Sequence, residues 1–304
     1  MQAKLGIAPI AWSNDDLPEL GGNTTLETCL SEARAAGFAG VETGGKFPKT
    51  AAELGPKLKA HELNLVSGWY SGTVLDAPDD LAAEKEQVAG QLAMFRELGA
   101  SCLVYGETAG TLQNRRAAPL ALRRRLWEDE IKTYGRRLTR FAEHCAAQGV
   151  PLAFHHHMAT AIESERDIDL LMQHTGEAVG LLYDTGHLRF AGADLFNVLK
   201  NHGKRINHVH AKDIRAAVVD GLDRERQSFL DAVLAGAFTV PGDGSIDFGP
   251  VARRLADIGY EGWFVVEAEQ DPAKAPPAEF AKIGYRALSR ALKDAGYSIE
   301  GETS

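Results

Sequence analysis

The chain has 304 residues, of which 44% are hydrophobic and 25% are charged, and its formal net charge is −9. This composition is typical of a globular protein, and no apolar stretch is long enough to cross a bilayer. The negative charge disfavours nucleic-acid binding, which depends on clustered Lys and Arg. Three widely spaced cysteines without a CxxC pair, and no recognisable signal peptide, predict a cytoplasmic protein.

Short apolar runs alternate with longer segments of helical periodicity along the whole chain, which is the pattern of repeated strand–helix units. The predicted strands are Leu5–Pro9, Gly40–Thr43, Leu63–Trp69, Cys102–Tyr105, Leu152–His155, Val179–Tyr183, Ile206–His210 and Gly262–Glu267. The predicted helices are Leu26–Ala36, Ala51–His61, Leu81–Leu98, Trp127–Gln148, Ser164–Gln173, Val251–Ile258 and Ala278–Ala295. Several of these helices end at a glycine, as helices commonly do.

Eight strands that alternate with helices over this length predict an α/β fold, a (β/α)8 TIM barrel. We expect one domain over residues 1–304, with the last few residues disordered. A doubly wound open sheet is the alternative, but the first strand is not followed by the GxGxxG sequence of that fold. The segment from Ile214 to Phe248 is longer than an ordinary connection and is a candidate lid or wall of a site.

Four polar clusters follow predicted strands, at the end of the barrel where active sites of this fold lie. They are His155–His157, Asp184–His187, His208–Asp213 and Glu267–Glu269. Imidazole nitrogens and carboxylate oxygens suit a divalent metal of Mn, Co or Zn character. Because side chains alternate along a strand, His208, His210 and Lys212 share one side. A single cluster is as often a set of solvated loop residues, but four at successive strand ends predict a metal site.

The same motifs carry a family resemblance. Asp184–His187 (DTGH), His208–Asp213 (HVHAKD) and Gly262–Glu267 (GWFVVE) resemble the metal-site motifs of the xylose-isomerase-like barrels, a superfamily of sugar isomerases, epimerases and type 2 AP endonucleases. A closer resemblance, to the inosose dehydratases of myo-inositol catabolism, spans nearly the whole chain. It rests on Gly6–Asp16, Lys46–Pro48, His155–His157, Phe238–Gly244 and Val266–Pro272.

The resemblance implies dehydration of 2-keto-myo-inositol (scyllo-inosose) to a trihydroxycyclohexane-1,2-dione, with Mn or Co as the metal and with a glutathione dependence. By motif, it implies that Asp184, His210 and Glu267 are metal ligands. The epimerases have a glutamate at the end of the fifth strand, where this chain has His155. Two carboxylates and two histidines would then balance a divalent ion. His157 is the alternative fourth ligand, and the sequence does not decide between the two histidines.

Loss of water next to a ketone requires removal of an α-proton and protonation of the departing hydroxide. The candidates for these proton transfers and for charge stabilisation are His157, His187, Glu269 and Lys212. Glu42 and Lys46, at the end of the second predicted strand, are further candidates. His187 has an equally good alternative role, in which it holds Asp184 in place. Lys212 has the alternative of an internal ion pair with Asp213.

Polar and aromatic residues at the predicted mouth form a candidate site for a small cyclic polyol ketone, whose ring offers hydroxyl groups and a C–H face. The candidates are Asn14, Asp15, Glu42, Lys46, Trp69, Glu107 and His208. Trp69 is also compatible with packing in the core or at the rim, and Lys46 with an ordinary surface position.

Three other functions are compatible with parts of this pattern. A keto-sugar isomerase or epimerase would use nearly the same site. A type 2 AP endonuclease would need a basic DNA-facing surface, against which the net charge speaks, and a non-catalytic sugar-binding barrel would need a structural or vestigial metal cluster. We expect no nucleic-acid or membrane partner. Barrel helices commonly support homo-oligomers, but the sequence selects no oligomeric state.

Overall fold

Eight parallel strands close into a barrel in the computed structural model, which describes residues 1–301. The strands are Gln2–Ile7, Gly40–Thr43, Asn64–Gly72, Leu103–Glu107, Leu152–His155, Val179–Asp184, Ile206–Ala211 and Gly262–Val266. The eighth strand pairs with the first, with Phe264 opposite Leu5, and this pairing closes the sheet. The predicted (β/α)8 barrel is confirmed. The disorder predicted for the last few residues concerns a part of the chain outside the described residues.

The main helices follow the barrel strands along the chain, and all but one of them were predicted. They are Leu26–Ala36, Ala51–Ala60, Ala82–Leu98, Glu128–Ala147, Glu165–Gln173, Leu195–His202, Phe248–Asp257 and Pro277–Asp294. Helix Leu195–His202 was not predicted, because its 8 residues give little more than two turns of periodicity. Asp194 caps it by accepting hydrogen bonds from the first backbone amides. Among the described residues, no helix has the length and apolar character that spanning a membrane requires.

Side chains of the barrel strands alternate between the surrounding helices and the barrel interior. Val209 of the seventh strand belongs to the main hydrophobic core, whereas its neighbours His208 and His210 are buried polar residues on the opposite side. Likewise, Phe154 packs in the main core, while Ala153 belongs to a small separate cluster made by strand residues. The inward positions near the strand ends are therefore the polar ones, and the barrel geometry directs them towards one another.

The long segment after the seventh strand packs behind two histidines at the strand ends. It contains an antiparallel pairing of Asp213–Ile214 with Phe238–Thr239 and two short helices, Ala216–Asp220 and Phe229–Leu234. The ring centroid of Phe229 lies 4.9 Å from that of His157, and Phe238 lies 5.1 Å from His187. The segment packs behind these two imidazoles and none of its residues lines the cavity, so its role as a lid or wall stays a prediction.

Candidate metal and active site

A cavity of about 990 Å³ opens among the carboxyl ends of the barrel strands. Its wall includes many of the predicted site residues, namely Asp15, Glu42, Trp69, His155, His157, His210, Lys212, Glu267 and Glu269. Asp184 and His187 are completely buried and contact the wall residues from below. Residues from distant parts of the chain thus meet in one place.

Three side chains, those of His155, Asp184 and His210, form a tight cluster of nitrogen and oxygen atoms, and Glu267 lies beside it. Nε2 of His155 and Nδ1 of His210 each lie 3.5 Å from Oδ2 of Asp184, and Nδ1 of His210 lies 3.8 Å from Oε2 of Glu267. Ligand atoms about 2.1 Å from a tetrahedral ion are about 3.4 Å apart, so these separations are close to those of a metal site. The cluster has the size and the donor atoms that a divalent cation requires.

Three atoms of this cluster lack partners. Oδ2 of Asp184, Nδ1 of His210 and Oε2 of Glu267 are buried and have no hydrogen-bond partner within the described chain. Buried polar atoms are rarely left unpaired, since each one loses its hydration without compensation. A cation bound between them would satisfy all three. The residues present therefore fit a divalent metal ion.

The ring of His155 is oriented for this cluster. Its Nδ1 lies 2.6 Å from the carbonyl oxygen of His156 and donates to it, which places the lone pair of a neutral ring on Nε2. Burial lowers the pKa of His155 to about 4, so the ring is neutral. A neutral imidazole whose far nitrogen is held by a carbonyl is the usual arrangement of a metal-binding histidine.

A second cluster lies beside the first. Nε2 of His157 and Nε2 of His187 lie 3.7 and 3.6 Å from Oε1 of Glu269, and the two ring centroids are 4.0 Å apart. Nδ1 of His157 donates to the carbonyl of Met158 at 2.8 Å, so its Nε2 is the nitrogen that faces Glu269. Thus His155 and His157 share a side of the chain but contact different carboxylates.

Lys212 joins the two clusters. Its Nζ lies 2.8 Å from Oε2 of Glu269, 2.5 Å from Oε2 of Glu267 and 2.9 Å from Nε2 of His187. The contact with Glu267 is an ion pair without hydrogen-bond geometry, so Lys212 already offers Oε2 of Glu267 a positive charge. Burial alone would lower the pKa of Lys212, but Asp184, Glu267 and Glu269 raise it, so the side chain is an ammonium ion.

Negative charge dominates this part of the barrel. Burial would lower the pKa of His210, but Glu42 and the other nearby carboxylates raise it to about 10. Burial and the charge of Glu269 raise the pKa of Glu267 to about 8. Both shifts favour the protonated form of the group, as is expected where several carboxylates are buried close together and any added positive charge is stabilised. A divalent cation would supply that charge.

An aromatic ring covers one side of the clusters. The indole of Trp69 lies edge-on to the rings of His155 and His157, with centroid distances of 5.6 and 5.9 Å, and its Nε1 donates to Ser71 at 2.8 Å. A Cβ atom on Gly106 would lie 2.0 Å from this ring. The absence of a side chain at Gly106 is therefore what lets Trp69 lie over the fourth strand and reach the cavity.

A model of the xylose isomerase-like TIM barrel family matches residues 30–291 of the chain. The chain belongs to this family. Among curated relatives, the inosose dehydratase of Geobacillus thermodenitrificans is 45% identical over 282 residues, which are 92% of this chain and 94% of the relative. The rhizopine catabolism protein MocC of Rhizobium meliloti is 48% identical over 98% of this chain and 91% of the relative. These matches confirm the resemblance to the inosose dehydratases.

Solved structures of xylose isomerase-like barrels share the fold at low sequence identity. L-ribulose 3-epimerase has a TM-score of 0.67 and 18% identity, with 97% of this chain and 96% of that chain covered. The IolI protein, solved with a bound zinc atom, has a TM-score of 0.66 and 17% identity over 96% and 97%. A probable 3-DHS dehydratase, AsbF from Bacillus anthracis, has a TM-score of 0.66 and 16% identity over 94% and 98%. These similarities concern the fold.

Two of the predicted substrate residues form hydrogen bonds with backbone groups of nearby loops and do not line the cavity. Oδ1 of Asn14 accepts hydrogen bonds from the backbone amides of residues 16 and 17, at 2.8 and 3.0 Å, and so fixes the turn after the first strand. Nζ of Lys46 donates to the carbonyl oxygens of residues 21, 22 and 24. Both side chains bind backbone groups and neither lines the cavity, so their role in substrate binding stays a prediction.

Two further predicted substrate residues lie behind the wall. Glu107 accepts hydrogen bonds from the hydroxyl of Tyr105 at 2.8 Å and from the backbone amides of residues 75 and 109. His208 lies below the cavity, where its Nε2 contacts Glu42 at 3.0 Å and Ser67 at 3.2 Å. The predicted ion pair of Lys212 with Asp213 is also wrong. Oδ1 of Asp213 accepts from the backbone amides of residues 214, 245 and 246.

Sequence reasoning missed part of the cavity wall. Gln113 and Arg115 line the cavity from the long segment that follows the fourth strand. Nε2 of Gln113 lies 3.5 Å from Oδ2 of Asp16, which places the two loops in contact across the mouth. No motif or periodicity identifies these residues. The length of the segment was the one usable signal, since long loops of a barrel commonly belong to its site.

Proposed function

We propose that this protein is a metal-dependent hydro-lyase that dehydrates 2-keto-myo-inositol (scyllo-inosose) to a trihydroxycyclohexane-1,2-dione. The observation that carries the proposal is the group of buried donor atoms of Asp184, His210 and Glu267 beside one cavity, which accept or donate no hydrogen bond within the described chain. The chain that holds them is 45% identical to an inosose dehydratase over 92% of its length. The geometry supports a cation site, and the relative supports the reaction and the substrate.

His155, Asp184, His210 and Glu267 are the proposed metal ligands. Two carboxylates and two imidazoles give a neutral site with a divalent ion, and this mixture of nitrogen and oxygen donors suits Mn or Co better than Mg or Ca. When bound there, the cation supplies Lewis-acid stabilisation of the negative charge that develops on the ketone oxygen. The distances around His155 support it as the fourth ligand, ahead of His157.

His157 is the proposed proton-transfer group. Its ring lines the cavity, whereas His187 is completely buried behind it. The lone pair on Nε2 of His157 can accept the α-proton, and the carboxylate of Glu269, 3.7 Å away, stabilises the resulting imidazolium. The same imidazolium can return the proton to the hydroxyl that leaves from the adjacent carbon, so that water departs and the double bond forms. Such proton transfer is worth about 100-fold to 10,000-fold in rate.

Lys212 acts in this proposal as a fixed positive charge. The carboxylates raise its pKa, which makes it a weak acid but keeps it an ammonium ion throughout the reaction. A buried positive charge next to the cavity stabilises the negative charge that forms when the α-proton leaves. His187 and Glu269 hold the ammonium group in position through contacts of 2.9 and 2.8 Å.

Trp69 and Asp15 are the proposed substrate contacts on the cavity wall. The indole offers an apolar surface for the C–H face of a cyclic polyol, and the carboxylate accepts hydrogen bonds from its hydroxyl groups. The proposed partner is thus a small cyclic polyol ketone. The cytoplasmic location and the absence of nucleic-acid partners stay predictions from the sequence, and the glutathione dependence stays an implication of the family resemblance.

The product identifies the reaction. Purified protein loaded with Mn²⁺ or Co²⁺ is incubated with scyllo-inosose, and the product is analysed by mass spectrometry and ultraviolet absorbance. A dehydratase yields a dione that is lighter by one water and absorbs strongly as its enol. An isomer of unchanged mass would instead establish a keto-sugar epimerase. Because MocC is also a near relative, other keto-cyclitols belong in the same assay, with and without glutathione.

A further inference from the structure

We infer that Glu42 is a positioning residue of the metal centre, which acts through His210 and not by binding substrate. Its carboxylate holds the Nε2 hydrogen of His210 and thereby turns the Nδ1 lone pair towards the cation. This inference rests on the proposed metal site. It assigns to Glu42 a role different from the substrate contact that the sequence predicted.

Three donors converge on one oxygen of Glu42. Oε1 lies 3.1 Å from Nε2 of His210, 3.0 Å from Nε2 of His208 and 2.5 Å from Oγ of Ser67. All four side chains are more than nine-tenths buried. They come from three different strands, the second, the third and the seventh. The position of this oxygen is therefore set from several sides of the barrel.

The contact decides which nitrogen of His210 can bind a metal. A neutral imidazole has one N–H and one lone pair, so a proton held on Nε2 leaves the lone pair on Nδ1. Nδ1 is the atom that lies 3.5 Å from Oδ2 of Asp184 and 3.8 Å from Oε2 of Glu267. Without Glu42, the ring could place its proton on Nδ1, towards Asp184, and the lone pair would then face away from the cluster. A carboxylate behind the ring also increases the basicity of the ligand nitrogen.

The same contacts argue against a substrate role for Glu42. A carboxylate that swung towards a substrate would leave the buried donors of Ser67, His208 and His210 unpaired, and unpaired buried donors are costly. Glu42 lies on the cavity wall, so its position alone does not distinguish the two roles. The hydrogen bonds do, because they fix the oxygen that faces His210.

Glu107 offers a matched control. It is also a buried glutamate at the end of a barrel strand, and burial raises its pKa to about 7. Its hydrogen bonds go to Tyr105 and to backbone amides instead of to a proposed metal ligand. Glu107→Gln thus reports the general effect of removing a buried carboxylate charge, and Glu42→Gln adds the effect on His210.

The test measures metal affinity directly. Metal-free full-length protein and its Glu42→Gln, Glu42→Ala and Glu107→Gln variants are titrated with Mn²⁺ in competition with a chromophoric chelator. Loss of a residue that holds a metal-binding histidine weakens affinity by about 10-fold to 100-fold. We expect the lower figure for Glu42→Gln, which keeps an acceptor oxygen, the higher figure for Glu42→Ala, and a change of less than twofold for Glu107→Gln. Unchanged Mn²⁺ affinity in both Glu42 variants would overturn the inference, as would an equal loss in Glu107→Gln.

A spectroscopic readout separates positioning from mere folding. In protein loaded with Co²⁺, Glu42→Gln should shift the visible ligand-field bands, because it changes the electron donation of His210, while Glu107→Gln should leave them unchanged. Unshifted bands together with an increased KM at saturating metal would mark Glu42 as a substrate ligand and contradict the inference. Wild-type protein that binds Mn²⁺ tightly but leaves scyllo-inosose unchanged would disprove the proposed reaction alone, since the Glu42 comparison needs no turnover.

Discussion

Nζ of Lys212 lies 2.8 Å from Oε2 of Glu269. Through this contact the proposed metal ligands and the proposed proton-transfer histidines form one continuous network of charge. Lys212 also contacts Glu267 and Asp184, at 2.5 and 3.6 Å. One ammonium ion therefore faces three buried carboxylates, and a divalent cation bound there would compensate the negative charge that remains once Glu267 is ionised.

Replacing Lys212 with methionine should destabilise the metal-free protein much more than the metal-loaded protein. Removal of one partner from a buried ion network costs about 3–5 kcal/mol of unfolding free energy. A bound dication would offset much of that loss by compensating the same carboxylates. Urea unfolding with and without Mn²⁺ measures the difference. Lys57→Met, which breaks the partly exposed ion pair of Lys57 with Glu27, is the control and should cost less than about 1 kcal/mol. Equal losses for Lys212→Met in both metal states would refute this prediction.

His155→Ala and His157→Ala should separate metal binding from proton transfer. His155 contacts Asp184 in the first cluster. Its loss should weaken the metal affinity by more than about 100-fold, so that little metal stays bound after dialysis. His157 contacts Glu269 in the second cluster, so its loss should leave the metal in place and lower kcat by about 100-fold to 10,000-fold. Metal analysis and turnover at saturating metal give the two readouts. The opposite pattern would make His157 the fourth ligand.

The remaining proposed ligands should behave like His155. We expect Asp184→Ala, His210→Ala and Glu267→Ala each to lose the metal while the barrel stays folded, as judged by circular dichroism. Retention of full metal occupancy in all three variants would disprove the assignment of the ligands.

Gly106→Ala should lower activity by displacing Trp69. The added Cβ would lie 2.0 Å from the indole, so the ring must leave its place beside His155 and His157. Overpacking of this kind lowers the free energy of unfolding by about 1–3 kcal/mol, and displacement of the ring should also lower kcat/KM, because Trp69 is a proposed substrate contact. The same substitution in a Trp69→Ala background should have little further effect, because the clash has been removed. An undiminished effect in that background would mean that Gly106 acts on something other than Trp69.

Glu107 should make stability depend on pH. Burial raises its pKa from 4.5 to about 7 in the folded state, so between those values the folded protein binds more protons than the unfolded chain. The free energy of unfolding therefore falls as pH rises through this window, by on the order of 3 kcal/mol. Glu107→Gln should lack this dependence and gain stability relative to wild type between pH 5 and pH 8, as measured by urea unfolding. If the difference in the free energy of unfolding between the two proteins stayed constant from pH 5 to pH 8, Glu107 of the folded wild type would already be ionised at pH 5, which would contradict the prediction.

The convergence of Asp184, His210 and Glu267 could be predicted from the sequence, because it requires only the positions of the strands and the geometry of a barrel. Apolar runs identified the strands, and in a barrel the carboxyl ends of all strands meet around one mouth. Alternation along the strand then predicted that His208 and His210 share the inner side. The sequence does not distinguish His155 from His157, because their positions depend on the path of the backbone after the fifth strand ends at His155.

Glu107 was predicted to face the cavity, but the alternation of side chains along its strand already indicates the opposite. In the fourth strand, Tyr105 belongs to the main core and Val104 to the small interior cluster. Glu107 is two residues after Tyr105, so both side chains lie on the same side of the strand, towards the helices and away from the cavity. Asn14 and Lys46 are different, because their contacts depend on loop conformations that leave no periodic pattern in a sequence.

The metal dependence of dehydration tests the central claim most directly. Metal-free protein is titrated with Mn²⁺, and bound metal and the formation of the dione from scyllo-inosose are measured in the same samples. The structure predicts that both rise together and level off at one bound ion per chain, and that His155→Ala abolishes both. Full turnover of scyllo-inosose by protein stripped of metal would contradict the account.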